Sequence, residues 1–106
     1  MWKVDKSNLS MAEGDYGISL PITINGTTID SADSVKFIVK TAKNGTEKLV
    51  KTFTNIVNNT FDLVLTAEES ALLTVGYYVY SLDWYKDGTF ECNIIPSASL
   101  QVVDKA

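Results

Sequence analysis

The chain has 106 residues, of which 45% are hydrophobic and 21% are charged, and its formal net charge is −4. These values are typical of one folded domain and exclude a disordered chain. All nine cationic residues are lysines, which argues against nucleic acid as a partner, because phosphate-tracking proteins usually combine a positive patch with arginine. We also expect no membrane partner and no secretion, since no stretch approaches the ~20 apolar residues of a membrane helix and the start lacks the apolar core of a signal peptide.

The first strand pattern runs from Tyr16 to Ile24, where apolar and polar residues alternate. Pro21 lies within this pattern and has no N–H to donate to a neighbouring strand. We therefore expect the strand to lie at a sheet edge or to carry a bulge. The pair Asn25-Gly26 predicts a turn directly after it.

A hairpin signal at Asn44-Gly45 separates two further strand patterns, the second of which covers residues 48–54. A two-residue loop at this signal pairs Val39 with Val50, whereas a three-residue loop pairs Val39 with Leu49. We favour the first register, which places Val50 on the same face as Val39. The first strand of the hairpin carries Val35, Phe37 and Val39 on one face, separated by Lys36 and Ile38 on the other.

The next strand carries Phe61, Leu63 and Leu65 on one face and follows a polar bend at residues 58–60. Directly after it, Thr66-Ala67-Glu68-Glu69 has the form of a capping box, in which the threonine oxygen accepts the amide of the last glutamate and the glutamate side chain returns the bond. The sequence therefore predicts one short helical turn near residues 67–72.

Six aromatic residues lie between Leu72 and Cys92. Alternating rings could form a flat platform for sugars, but one face of this strand pattern is in phase with leucine and is therefore predicted to belong to the core. The predicted inward face carries Tyr78, Tyr80, Leu82 and Trp84, and the predicted outward face carries Tyr77, Val79, Ser81, Asp83 and Tyr85.

The pair Asp87-Gly88 predicts the hairpin that follows this strand. A two-residue loop there pairs Tyr85 with Phe90 and splits the apolar residues between the two faces. A three-residue loop, with Gly88 left-handed and a bulge, pairs Trp84 with Phe90. We predict the second register, because it turns six residues inward together: Tyr80, Leu82, Trp84, Phe90, Cys92 and Ile94. A final strand after Pro96 carries Ala98, Leu100 and Val102 on one face.

These elements predict an all-β fold: an immunoglobulin-like antiparallel β-sandwich of about seven strands with one short helical turn near residues 67–72. We expect a single domain over residues 1–106. The segment GYYVY at residues 76–80, entered from a short turn, is typical of a tyrosine corner, in which a tyrosine hydroxyl bonds to upstream backbone. Tyr78 is the candidate for that role.

Catalysis is not expected, because the chain contains no histidine, the residue used most often for proton transfer. Cys92 is the only cysteine, which excludes an intrachain disulfide, and it is predicted to pack against Leu82 as a small hydrophobe. The carboxylates near the last hairpin and on the helical turn lack the regular spacing of a calcium-binding loop. We therefore predict no enzyme, no catalytic residue, no metal and no cofactor.

Three aromatic residues fall outside the predicted core pattern: Trp2, Tyr77 and Tyr85. Amphipathic rings are enriched at interfaces, so these three are the candidates for an interaction surface. Single exposed rings are also common on ordinary protein surfaces, and both interpretations stay open.

The order of four segments carries a family resemblance: AEGDYGISLPI at residues 12–22, SADSVKFIVK at 31–40, TFDLVLTAEESALLTVGYYVYSLDWYKDG at 60–88 and SLQVV at 99–103. Together they resemble the small immunoglobulin-like modules of tailed bacteriophages, including the amino-terminal domain of baseplate upper proteins. The resemblance implies a virion structural protein of the tail, baseplate or neck, made in the bacterial host cytoplasm. It also implies that the protein acts by binding other virion proteins or further copies of itself, and it supplies no catalytic residues.

A second hypothesis from a different class is a carbohydrate- or cell-surface-binding β-sandwich module. Such a module would use one or more of the three aromatic residues outside the core pattern, Tyr77, Tyr85 or Trp2.

Overall fold

The computed structural model describes residues 2–24, 33–42, 44–54, 56–86 and 88–104. Within these ranges the chain forms eight strands and one short helix. In chain order they are β1 (Lys3–Asp5), β2 (Asn8–Ala12), β3 (Leu20–Thr23), β4 (Ser34–Lys40), β5 (Glu47–Phe53), β6 (Thr60–Leu63), α1 (Ala67–Ser70), β7 (Gly76–Lys86) and β8 (Thr89–Val103). The predicted turn at Asn25-Gly26 lies outside the described residues, and the predicted packing of the Cys92 side chain is outside them too.

The strands form the two sheets of a β-sandwich, which confirms the predicted fold class. One sheet has six strands in the order β1-β2-β8-β7-β4-β5, and the other pairs β3 with β6. Neighbouring strands run antiparallel except β2 and β8, which are parallel. The hairpin of β1 and β2 is an addition to the predicted elements.

The core lies between the sheets and follows the alternation of the strands. Val35, Phe37 and Val39 on β4 are each 0% exposed, and the inward residues of β6 and β7 are buried with them. The ring of Phe37 packs against that of Tyr80 with centroids 5.4 Å apart. The aromatic residues of β7 at positions 78 and 80 therefore belong to the core, as the alternation predicted, and Trp84 is half-buried and packs against it.

The predicted edge position of Pro21 is confirmed. β3 pairs with β6 alone among the described strands, and Pro21 lies opposite Asp62 in that ladder. The strand covers residues 20–23 and is thus shorter than the pattern from Tyr16 to Ile24 predicted. Ile18, which continues the alternation, is 41% exposed because the chain there is still crossing from the six-stranded sheet.

The favoured register of the first hairpin was wrong. Val39 pairs with Leu49, not with Val50, because the connection is a longer turn closed by a hydrogen bond from Thr41 N to Thr46 O (3.0 Å) and is followed by a bulge. This register buries Leu49 and leaves Val50 47% exposed on the outer face of the sheet.

The predicted register of the second hairpin was also wrong. Tyr85 pairs with Phe90 across the tight connection, and Phe90 is 49% exposed instead of inward-facing. Gly88 has the predicted left-handed conformation, with φ 81°. The predicted pairs Trp84–Phe90, Leu82–Cys92 and Tyr80–Ile94 are replaced by Trp84–Cys92, Leu82–Ile95 and Tyr80–Ala98.

Three register shifts along β7 and β8 explain why the end of β8 still faces the core although the hairpin register differs from the prediction. At each shift β8 contains extra residues that have no partner on β7. The side chains of β8 that follow the shift therefore point to the opposite face of the sheet from the one that regular pairing would give. From residue 98 onward the alternation agrees again with the predicted one, and Leu100 and Val102 are buried as predicted.

The capping box is confirmed in full. Glu69 N donates to Thr66 Oγ1 (3.2 Å), and Thr66 N donates to Glu69 Oε1 (2.8 Å). The helix covers residues 67–70, and a hydrogen bond from Leu72 N to Glu69 O (3.1 Å) extends the turn to the predicted end. Lys51 Nζ on β5 donates to the same Glu69 Oε1 (2.7 Å) and to Val64 O (2.7 Å), which ties α1 to the edge of the six-stranded sheet.

Two tyrosines of β7 place their hydroxyls on backbone carbonyls. Tyr78 Oη donates to Thr74 O (2.9 Å), four residues upstream, and this confirms the predicted tyrosine corner. Tyr80 Oη donates to Ser7 O in the turn between β1 and β2, so that the amino-terminal hairpin is anchored to the core. Burial raises the pKa of Tyr80 to about 12.

We expect removal of the Tyr78 hydroxyl to lower the stability of the fold and removal of the neighbouring Tyr77 hydroxyl to leave it nearly unchanged. We expect Tyr78→Phe to lower the free energy of unfolding by about 1 kcal/mol, because the bond to Thr74 is lost while the ring stays buried. Tyr77→Phe is the matched control on the same strand; its ring is 76% exposed, and we expect a change within about 0.5 kcal/mol. Urea unfolding of both variants measures the difference, and equal midpoints would contradict the corner's role.

Candidate contact surface

The three aromatic residues selected from the sequence lie at three separate places. Trp2 is half-buried and packs against the core, and its Nε1 donates to Ile18 O (3.1 Å). It borders a small gap beside Met11 and Leu65, between β2 and the end of β6. Trp2 therefore closes one side of the sandwich and offers little free ring surface.

Tyr85 lies on the outer face of the six-stranded sheet, but other side chains already contact its ring. Lys36 Nζ is 4.4 Å from the ring centroid, and Phe90 packs against Tyr85 edge-on at 5.7 Å. Next to it, Asp83 is only 9% exposed and accepts a hydrogen bond from Asn93 Nδ2 (2.6 Å). The ring is thus part of a compact polar and aromatic cluster within the molecule.

Tyr77 is the most exposed of the three, at 76%. Its hydroxyl accepts a hydrogen bond from Gln101 Nε2 (3.1 Å), which holds the ring against the outer face of the six-stranded sheet. The ring forms one wall of an open concavity of about 270 Å³. The other lining residues come from β1, β2 and β8: Lys3, Val4, Asn8, Leu9, Ser10, Ser99 and Gln101.

A band of apolar side chains continues from Tyr77 across the same face. Val79 follows two residues along β7, and Ile38 on β4 lies diagonally next to it, because Lys40 pairs with Val79 and Ile38 with Ser81. Ile38 in turn pairs with Val50 on β5. We call these four residues the apolar stripe: Tyr77, Val79, Ile38 and Val50.

The apolar stripe could not be recognised from the sequence alone. The favoured register of the first hairpin placed Val50 on the inward face, and Ile38 is one apolar residue within a strand of mostly apolar residues. Only the observed pairing of Ile38 with Val50 brings the two together on the outer face. The outer face of an antiparallel sheet is usually polar, so four neighbouring apolar residues there need a reason.

The sheet edges carry features that discourage strand addition. β1 has three residues, β3 contains Pro21, and β6 has four residues with Asp62 exposed. β5 is longer, but Lys51 on it points inward to Glu69. Short edges, proline and inward-pointing charge are the devices by which natural sheets avoid edge-to-edge pairing. A contact through a sheet face is therefore favoured over one through an edge.

Among the residues that the structure describes, no three side chains of the metal-binding types converge, and no helix has the length and apolar character needed to cross a membrane. No protein-family model matches the chain, and neither the curated proteins nor the solved structures include a match.

Proposed function

We propose that this chain is a non-enzymatic structural module of a phage or prophage particle, in the tail, baseplate or neck, which binds neighbouring virion proteins through the apolar stripe. The resemblance of its four segments to small phage modules supports the assignment to a phage or prophage particle. The stripe on the outer face supports the mode of action, and it is the single observation on which the surface assignment depends.

The character of the stripe favours a protein partner. Its two ends are well exposed, Tyr77 at 76% and Val50 at 47%, and its middle is half-buried. Protein interfaces combine such an apolar centre, often with tyrosine, with a polar margin. Here the margin carries Lys36, Lys40 and Gln101.

Introducing a charge into the stripe is expected to block incorporation into particles. In a host strain that lacks the native copy, Val50→Asp should reduce the amount of the protein in gradient-purified particles at least tenfold, because a buried unpaired carboxylate costs more than the ~1.4 kcal/mol that corresponds to that factor. Val57→Asp is the matched control, since Val57 is 68% exposed and lies in the turn before β6, away from the stripe. Mass spectrometry of the particles measures both. Absence of the wild-type protein from purified particles would overturn the proposal.

A carbohydrate-binding role is the second candidate function, and the concavity beside Tyr77 favours it. An exposed ring flanked by amide and hydroxyl groups can stack on a sugar while hydrogen-bonding its hydroxyls. Glycan-array binding by the wild type that is lost in Tyr77→Ala but kept in Tyr77→Phe and Val50→Asp would support this role. If the wild type binds no glycan on the array, the carbohydrate-binding role is excluded.

A further inference from the structure

An exposed asparagine-glycine pair, Asn44-Gly45, lies in the connection between β4 and β5. The backbone nitrogen of Gly45 donates a hydrogen bond to Ala42 O (2.9 Å), which closes a tight turn around the asparagine. Both residues of the pair are open to solvent, and neither belongs to the core or to the apolar stripe. The proposed contact with other virion proteins therefore does not use them.

The fold requires glycine at position 45. A Cβ atom added there would lie 2.9 Å from the backbone nitrogen of Ala42 and still closer to Thr41 Oγ1. The Thr41 hydroxyl can rotate away, but the backbone next to it is held by the hydrogen bond from Thr41 N to Thr46 O (3.0 Å). The turn therefore places Asn44 directly before a residue that has no side chain to shield its backbone nitrogen.

This arrangement allows a specific reaction between the two residues. When the backbone nitrogen of Gly45 loses its proton to a solvent base, it can attack Cγ of Asn44. The N–Cγ bond forms, the Cγ–Nδ2 bond breaks and ammonia leaves, so that a five-membered succinimide ring remains. Water then opens the ring at either of its carbonyls and gives aspartate or isoaspartate, with no change of oxidation state. Asparagine is accordingly counted among the thermolabile residues.

We propose that Asn44 is a site of spontaneous deamidation, with water as the only co-reactant. Asn93 shows why this position is favoured over another exposed asparagine. It precedes the β-branched Ile94, whose side chain crowds the attacking nitrogen, and its Nδ2 donates a hydrogen bond to Asp83 Oδ1 (2.6 Å). At Asn44 the following residue leaves the approach to Cγ open.

The turn around Asn44 also restrains the reaction. The nitrogen of Gly45 must release Ala42 O before it can attack, because its hydrogen atom is held in that bond. This opening is confined to one exposed turn, and local openings of this kind cost less free energy than global unfolding. The folded protein therefore reacts at Asn44, but more slowly than the unfolded chain does.

Peptide mapping of the intact protein tests the proposal. The wild type is incubated in warm neutral buffer, and samples are digested with trypsin at intervals, starting at time zero. Trypsin releases Asn44 in the short peptide NGTEK, residues 44–48, and Asn93 in the peptide of residues 87–105. Mass spectrometry should show the first peptide gaining the mass that conversion of an amide to an acid adds, in two chromatographically distinct isomers. We expect this conversion to be at least about tenfold faster at Asn44 than at Asn93, because glycine leaves the attacking nitrogen open and isoleucine does not.

Asn44→Gln is the matched control variant. Glutamine keeps the amide, but its attack by the next nitrogen needs a less favourable six-membered ring, so the peptide of residues 44–48 should stay unchanged over the same time. A second asparagine-glycine pair, Asn25-Gly26, lies outside the described residues and falls in a different tryptic peptide, so that it does not disturb the measurement. In concentrated urea the wild type should convert faster at Asn44, because the hydrogen bond from Gly45 N is then lost.

Conversion at Asn44 that is no faster than at Asn93 would overturn the proposal. Equal rates for Asn44 in the folded and the urea-unfolded protein would contradict the restraint by the turn. Neither result concerns the presence of the protein in purified particles, so failure of this inference is distinct from failure of the proposed function.

Discussion

Phe37→Ala is expected to lower the free energy of unfolding by about 3–5 kcal/mol. Phe37 is 0% exposed at the centre of β4, and its ring packs against Tyr80 at 5.4 Å. Truncation removes the buried ring and leaves a cavity that the two sheets cannot close without moving, because β4 is paired on both sides, to β5 and β7. Guanidinium unfolding of the variant measures the loss.

The control for this prediction lies on the same strand. Ile38→Ala removes a comparable apolar side chain from the outer face, where it is only half-buried, and should cost no more than about 1 kcal/mol. If Phe37→Ala is too unstable to purify, Phe37→Leu keeps the test open with an expected loss of about 1–2 kcal/mol. Equal losses at positions 37 and 38 would contradict the assignment of the inward face of β4.

Glu69→Ala is expected to lower the free energy of unfolding by about 2–3 kcal/mol, the second-largest effect. The carboxylate accepts hydrogen bonds from Thr66 N and from Lys51 Nζ, so that one side chain caps α1 and joins it to β5. Its side chain is 24% exposed and that of Lys51 is 19% exposed, so water screens the pair only in part. A double-mutant cycle with Lys51→Met should give a coupling of about 1 kcal/mol.

The same carboxylate gives the stability a defined pH dependence. Burial alone would raise the pKa of Glu69, but the hydrogen bonds from Lys51 and Thr66 and the charge of Lys51 outweigh it, and the pKa lies below its ordinary value of 4.5. The unfolded chain therefore binds this proton at a higher pH than the folded chain does. The contribution is fully present above pH 4.5 and is lost as the pH falls through the folded-state pKa.

Glu69→Gln isolates this effect, because the amide can still cap the helix but carries no charge. The stability gap between the wild type and Glu69→Gln should be constant near neutral pH and should shrink below pH 4.5, the ordinary pKa of the group. Urea unfolding across that range measures it. A gap that widens in acid would show that Lys51 does not stabilise the ionised carboxylate.

Local patterns were sufficient for much of this fold. The capping box at Thr66 and Glu69, the tyrosine corner at Tyr78 and the inward face of β4 all depend on residues within a few positions of each other. The relevant physics is equally local: a hydroxyl reaches an amide three residues away, and alternate side chains of a strand share one face. The β1–β2 hairpin was missed because its alternation is short, with only Leu9 and Met11 buried.

The sequence by itself determined that the chain is an all-β sandwich and which strand faces are apolar. Only the tertiary structure decided which residues lie opposite each other, because both hairpins contain bulges that cost little locally and are selected by how well the whole core packs. The observed pairing of residues across the first hairpin determined which side chains form the candidate surface. A shift of one residue in the first hairpin moved Val50 from the predicted core to the outer face, where it completes the apolar stripe with Ile38, Val79 and Tyr77.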